Sequence, residues 1–183
     1  ATHPAPLPTT PLRERYLAAP DFPTYLASVE KNADLWRAVY DRARIPHDLV
    51  EAGRAAGGPW HLLALSEDWC GDAVNTLPVV ARWAESRANV ELRVLGRDDN
   101  PDLMDAHLTG GRSRSIPIVI VYDEQFEEVG WWGPRPAELQ EYVLGPGQEV
   151  DKEDRYRHVR RWYARDRGLT ILSELIETVR RAA

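Results

Sequence analysis

One cysteine, Cys70, stands in 183 residues. A lone thiol rules out any disulfide within the chain and favours a reducing compartment, so a cytoplasmic location is expected. Lysine is nearly missing as well, with only Lys31 and Lys152, and arginine carries the positive charge. That charge is in deficit. The formal net charge of −6 argues against nucleic acid or an anionic membrane surface as a partner. No apolar run approaches the ~18 residues of a membrane span. The opening stretch "ATHPAPLPTTPLRERY" has no basic region followed by an apolar one, so no secretory leader is expected. The histidines, at positions 3, 47, 61, 107 and 158, lack zinc-ligand spacing. The acidic stretch "DDNPDLMD", residues 98–105, lacks the glycine and terminal glutamate of a calcium loop. No metal and no cofactor is expected.

What is present is an ordinary globular composition, 43% hydrophobic and 28% charged, in a chain long enough to bury roughly 70% of its unfolded surface. Residues 1–12, rich in Pro and Thr, read as a loose arm. Apolar residues at Leu26, Val29, Ala33, Trp36, Val39 and Tyr40 predict one helix over 22–45. A second helix opens at Pro46 and stops at Gly57 and Gly58. From there the order is strand ("WHLLALS"), helix ("GDAVNTLPVVARWAESR"), strand ("NVELRVLG"), helix ("NPDLMDAHLTGG"), two adjacent strands ("IPIVIVYD" and "FEEVGWWG") and helix ("RPAELQEYVLG"). This is the α/β class, a mixed sheet with helices on both faces. One or two helices close the chain, and the basic stretch "RYRHVRR", residues 155–161, reads as a solvated helix face. The expected organisation is an N-terminal arm and helices over 1–57, a core over 58–145 and a helical extension over 146–183, all in one compact domain.

Cys70 follows an apolar strand and opens a helix. A helix N-terminus offers unpaired N–H groups and about half a positive charge, and thiols placed there have pKa values lowered from ~8.5 to as little as ~3.5. Trp69 and Gly71 are expected to hold the sulfur near the surface on a tight turn. The nearby acids Glu67, Asp68 and Asp72 oppose ionisation if they are close in space. The competing reading of a lone cysteine is a buried packing residue.

The segment "EDWCGDAVNTLPVV" resembles the active-site stretch of the thioredoxin superfamily, Trp-Cys-Gly-Pro-Cys, with Trp69, Cys70 and Gly71 matching. Asp72 stands where proline is usual and Ala73 where the second cysteine is usual. Pro78 matches the proline inside the active-site helix. "SIPIVIVYD" resembles the loop that carries the superfamily's cis-proline, which places Pro117 opposite Cys70 and leaves the backbone of Ile116 to pair with an extended substrate. "VGWWG" resembles the next strand and its glycine, Gly133. A closer likeness is to a bacterial thioredoxin-like group marked by Glu-Asp-Trp-Cys-Gly-Asp, Arg-Asp-x-Asn-Pro, Ser-Ile-Pro and Trp-Gly-Pro-Arg-Pro, which this chain carries as "EDWCGD", "RDDNP", "SIP" and "WGPRP". The resemblance implies a three-layer α/β/α thioredoxin-like fold with extra N- and C-terminal helices.

It also implies what is missing. A dithiol reductase resolves its mixed disulfide with the second thiol, and Ala73 has none. The superfamily's buried Asp, six residues before the first cysteine, is here Ala64, and its Lys partner falls on Val94. A dithiol disulfide reductase is therefore not expected. Three readings stay open. The first is a monothiol protein in which Cys70 forms mixed disulfides with a small thiol or protein thiol, assisted by Asp72. The second is a non-catalytic module that holds a peptide segment in the groove of Trp69, Cys70, Ile116 and Pro117. The third is a redox sensor. Gly71, Arg114 and Trp132 join the expected substrate-binding set: Arg112 or Arg114 to lower the Cys70 pKa or grip a carboxylate, and the outward member of the Trp131–Trp132 pair to line the groove. No oligomeric state is implied.

Overall fold

A computed structural model describes residues 10–183. Most of the expected loose arm, residues 1–9, lies outside the described residues. The remainder runs straight into a helix, α1 (Leu12–Ala18), that the polar stretch "LRERYLA" does not advertise. Its order comes from tertiary contacts. Tyr16 is fully buried and donates its hydroxyl to the Glu91 carbonyl at 3.0 Å. Arg15 is 8% exposed and donates to Asn100 Oδ1 at 2.9 Å and Asp102 Oδ1 at 3.0 Å.

The helix expected over 22–45 is broken in two, α2 (Phe22–Ser28) and α3 (Ala33–Arg42), with Asn32 in the left-handed region at φ 59°. The physical reason lies elsewhere in the chain. The break frees the N–H groups of Glu30 and Lys31, and both donate to Asp68 Oδ2 at 3.0 Å. Helical spacing alone does not register so distant a partner. The helix α4 (His47–Ala55) follows with Pro46 at its N-cap.

The sheet has four strands in the order β2-β1-β3-β4: β1 (Trp60–Ser66), β2 (Val90–Gly96), β3 (Ile118–Tyr122) and β4 (Glu128–Trp132). β1 pairs parallel with β2 and antiparallel with β3, and β3 pairs antiparallel with β4. The sequence explains which strands are central. "LLAL" and "IVIVY" are apolar without alternation and are buried throughout, as strands covered on both faces must be. β2 and β4 carry exposed residues and form the edges. The outer edge of β2 is partly covered by the segment before α2, where the Val94 N–H donates to the Pro20 carbonyl at 3.0 Å.

Side-chain alternation sorts the helices into layers. Trp132 points to the face of α9 (Leu169–Ala182), donating its indole N–H to Glu174 at 2.8 Å, and Gly130 faces Thr178 of the same helix. α9 meets α5 (Gly71–Glu85) where Gly168 lies against Val79. On the opposite face Trp131 meets His107 edge-on at 5.6 Å, just past α6 (Pro101–Asp105), and Tyr16 of α1 meets His61 of β1 at 5.2 Å. The result is the expected α/β/α arrangement with added terminal helices. α6 is shorter than expected, because the chain turns at residues 109–113 with Gly110 and Gly111 at positive φ. After α7 (Ala137–Leu144) and a short 3-10 turn, α8 (Lys152–Asp166) and α9 make two terminal helices. Among the described residues, no helix is long and apolar enough to cross a membrane.

Candidate functional site: a thiol at the mouth of α5

Cys70 is the N-cap residue of α5, with φ −82° and ψ 113°, and its carbonyl accepts the Val74 N–H at 3.0 Å. The turn that delivers it is fixed by the backbone of Asp68, whose carbonyl accepts the Trp36 indole N–H at 2.9 Å. Helix α5 stays regular through Pro78, although the ring removes the N–H that the Val74 carbonyl would otherwise receive.

Ile116 and Pro117 join through a cis peptide bond, as expected, and they face the thiol. Cys70 Sγ donates to the Ile116 carbonyl oxygen at 3.5 Å. The loop behind them also depends on residue type. Gly133 has φ +127°, and a Cβ there would collide with the Pro117 carbonyl oxygen, so only glycine admits this approach.

One expectation about the thiol needs correcting: Cys70 is only 7% exposed, not presented on the surface. The balance between helix end and nearby acids, open in the sequence, falls on the side of a raised pKa. Burial is the largest cause and the Asp72 carboxylate adds to it. Together these outweigh the N–H groups of Ala73 and Asp72 and the positive charge of Arg135, which favour the thiolate. The cation acting on the sulfur is thus Arg135, not the expected Arg112 or Arg114. Arg114 turns its guanidinium to Asp105 at 2.8 Å.

Asp72 is engaged in a partly buried network. It accepts from Arg135 Nε at 3.1 Å and from the Tyr163 hydroxyl at 2.7 Å. Arg135 also donates to Gln140 at 2.7 Å. The phenol of Tyr163 is pushed well above its ordinary value, mainly by burial and then by the Asp72 charge, and so it stays a donor. The network ties the first turn of α5 to the "WGPRP" loop and to α8. Sequence reasoning assigned no role to Arg135 or Tyr163. Arg135 lies in a segment quoted for its resemblance. Tyr163 is hidden in a helix that reads as solvated because of its many charges.

The other expected residues separate into two groups. Trp69 is 46% exposed beside the thiol, and the Arg97 guanidinium lies 5.2 Å from its ring centre. Arg97 also donates to the Arg114 carbonyl at 3.1 Å, linking the tryptophan to the Pro117 loop. Gly71 is exposed and a Cβ there would meet nothing. These residues gather around Cys70. Trp132, 7% exposed and bonded to α9, does not: the outward member of its pair is Trp131, on the other face of the sheet. The interior positions discussed above are apolar. Ala73 and Ala64 are fully buried, and Ala64 is the direct strand partner of Val94, itself 1% exposed. Among the described residues, no group of three or more His, Cys, Asp or Glu side chains gathers as a metal site.

The fold and site can be set beside known proteins. A crystal structure of a protein of unknown function from Pseudomonas aeruginosa aligns over 96% of this chain and 100% of its own, with TM-score 0.75 and 18% identity. A crystal structure of an HIV epitope scaffold aligns over 95% and 100%, with TM-score 0.75 and 17% identity. At such identities the likeness is one of fold. No curated protein matches the chain. A thioredoxin family model, Thioredoxin_9, matches residues 19–157, which include the thiol turn, the Ile116–Pro117 loop and every strand. With most of its length covered by that model and its one thiol seated opposite the Pro117 peptide bond, the chain belongs to the thioredoxin family.

Proposed function

We propose that the chain works as a monothiol exchange protein of a reducing compartment, and that Cys70 forms mixed disulfides with a small thiol or a protein thiol. The observation that carries this reading is the seat of Cys70 Sγ at the N-terminus of α5, against the Ile116–Pro117 peptide. The Cys70 proton leaves to solvent, and the thiolate attacks one sulfur of a disulfide R–S–S–R′. The Cys70–S–R bond forms, the S–S bond breaks, and R′ departs as a thiolate. A second small thiol then attacks the mixed disulfide and returns Cys70 to the reduced form. The N–H groups of Asp72 and Ala73 favour the Cys70 thiolate, both as the attacking group and as the group released by the second thiol. With alanine at position 73 the adduct persists until an external thiol arrives. Because the thiol is held neutral at physiological pH, exchange is slow and accelerates with base. Oxidised glutathione serves as the probe. One adduct per chain, reversed by dithiothreitol and absent in Cys70→Ser, is expected. No adduct even at alkaline pH sinks the reading.

A second reading is favoured by the raised thiol pKa and by the bond from the thiol to Ile116. Here the groove of Trp69, Cys70, Ile116 and Pro117 holds a peptide segment without turnover. Partner capture that survives Cys70→Ser but fails in Trp69→Ala selects this reading over exchange.

A further inference from the structure

Away from the thiol, a cleft of about 520 Å3 opens between α3, α5 and α8. Its floor is apolar, made by Val39, Val79 and Ala164 with Leu35 at the side, and Leu35 is 43% exposed. Its rim is cationic: Arg42, Arg44, Arg160 and Arg167 line it, and no carboxylate does. In a chain of net charge −6, four arginines around one apolar floor form a local reversal of sign.

These guanidinium groups are not consumed by the protein itself. Arg42 and Arg44 donate only to nearby backbone carbonyls, of Ala38 for the first and of Asp41 and Ala43 for the second. Among the described residues, neither of these two, nor Arg160 or Arg167, makes an ion pair, in contrast to the Arg54, Arg97, Arg114, Arg135 and Arg157 pairs elsewhere. Arginine suits the task, since its planar fork binds carboxylate and phosphate oxygens in pairs and its stem covers apolar surface. The volume falls within the range of about 300–1,000 Å3 that small-molecule sites occupy.

We propose that this cleft binds a small amphipathic anion: an aliphatic or aromatic body on the Val39–Val79–Ala164 floor and a carboxylate or phosphate head among the arginines. The charge excludes cationic amphiphiles, and the floor distinguishes the ligand from a simple inorganic anion. The cleft also reaches the thiol site through shared residues. Tyr163 lines it while donating to Asp72, and Asn75 lines it while donating to the Gly71 carbonyl at 2.9 Å.

The test is isothermal titration of the whole chain, at fixed ionic strength and below micelle-forming concentrations, with decanoate, decyl phosphate, decyltrimethylammonium and inorganic phosphate as separate probes. Saturable one-to-one binding of decanoate or decyl phosphate is expected, and the stronger of the two identifies the head group. Decyltrimethylammonium and inorganic phosphate are expected to bind at least about tenfold more weakly. Arg42→Gln with Arg160→Gln, both exposed, is expected to weaken the anionic amphiphile by about tenfold or more. Ala164→Trp keeps every charge but fills the floor, and it is expected to abolish binding while melting like the parent protein. Equal binding of the cationic and anionic amphiphiles overturns the proposal, as does unchanged affinity in either variant. The readout does not involve Cys70, so its outcome is separate from that of the exchange reaction.

Discussion

Cys70 Sγ lies 3.5 Å from the Ile116 carbonyl oxygen, close enough for the thiol to donate and too close for a thiolate to be welcome there. Ionisation also leaves a charge in a buried position beside the Asp72 carboxylate, and burial first and that charge second are why the thiol pKa is raised. Alkylation of Cys70 by iodoacetamide is therefore expected to be slow at neutral pH. Its rate should rise about tenfold per pH unit until the thiol titrates. A rate already on its plateau at neutral pH contradicts the assignment. The same shift sets a sign for stability. The folded-state pKa lies above the unfolded one, so the contribution is complete below the unfolded value and is lost as pH rises through the folded value.

Asp72→Asn removes a negative charge that disfavours the thiolate, so the alkylation midpoint of Cys70 is expected to fall. It also weakens the anchor for the Arg135 guanidinium and the Tyr163 hydroxyl. A stability loss of about 1–3 kcal/mol in urea denaturation is expected. Tyr163→Phe is expected to lose stability with a much smaller movement of the thiol midpoint.

Gly133→Ala places a methyl group against the Pro117 carbonyl oxygen at a backbone angle that alanine rarely adopts. Overpacking and strain together predict a loss of roughly 2–5 kcal/mol. Gly71→Ala serves as the control. A Cβ there meets nothing, and stability near that of the parent protein is expected.

The carboxyl of Asp102 is held below its ordinary value, first by its hydrogen bond from Arg15. A depressed pKa contributes stability that is present above the unfolded value and lost as pH falls through the folded one. Acid titration of folding should show that slope in the parent protein and a shallower one in Arg15→Met, because backbone N–H groups also hold the carboxyl down. The loss at neutral pH is about 1–3 kcal/mol, mainly from the hydrogen-bond partners that buried Arg15 leaves behind, since Asp102 itself is half exposed and screened.

Central strands and helix α5 were legible in the sequence because local pattern determines them: unbroken apolar runs, and a helix start after a strand. The facing of Cys70 and Pro117 came only from the family resemblance of the Trp-Cys-Gly and Ser-Ile-Pro segments. What was not legible depends on contacts between distant residues. The exposure of Cys70 could not be read from Trp69 and Gly71, since enclosure is a property of everything packed around the turn. Asp72 reads as a free acid until Arg135 and Tyr163 are seen bonded to it. The break at Asn32 is invisible without Asp68 across the fold. Alternation correctly divided Trp131 from Trp132, but not which of the two faced solvent, because α9 covers the side that Trp132 occupies.

The bonds from Glu30, Lys31 and Trp36 to Asp68 bear on how this protein can be dissected. The leading helices are a clasp on the loop that carries the sulfur rather than an ornament on a self-sufficient core. Trimming the chain to the core of residues 58–145 would unfasten that clasp, and a shortened version would report the chemistry of a different, looser cysteine.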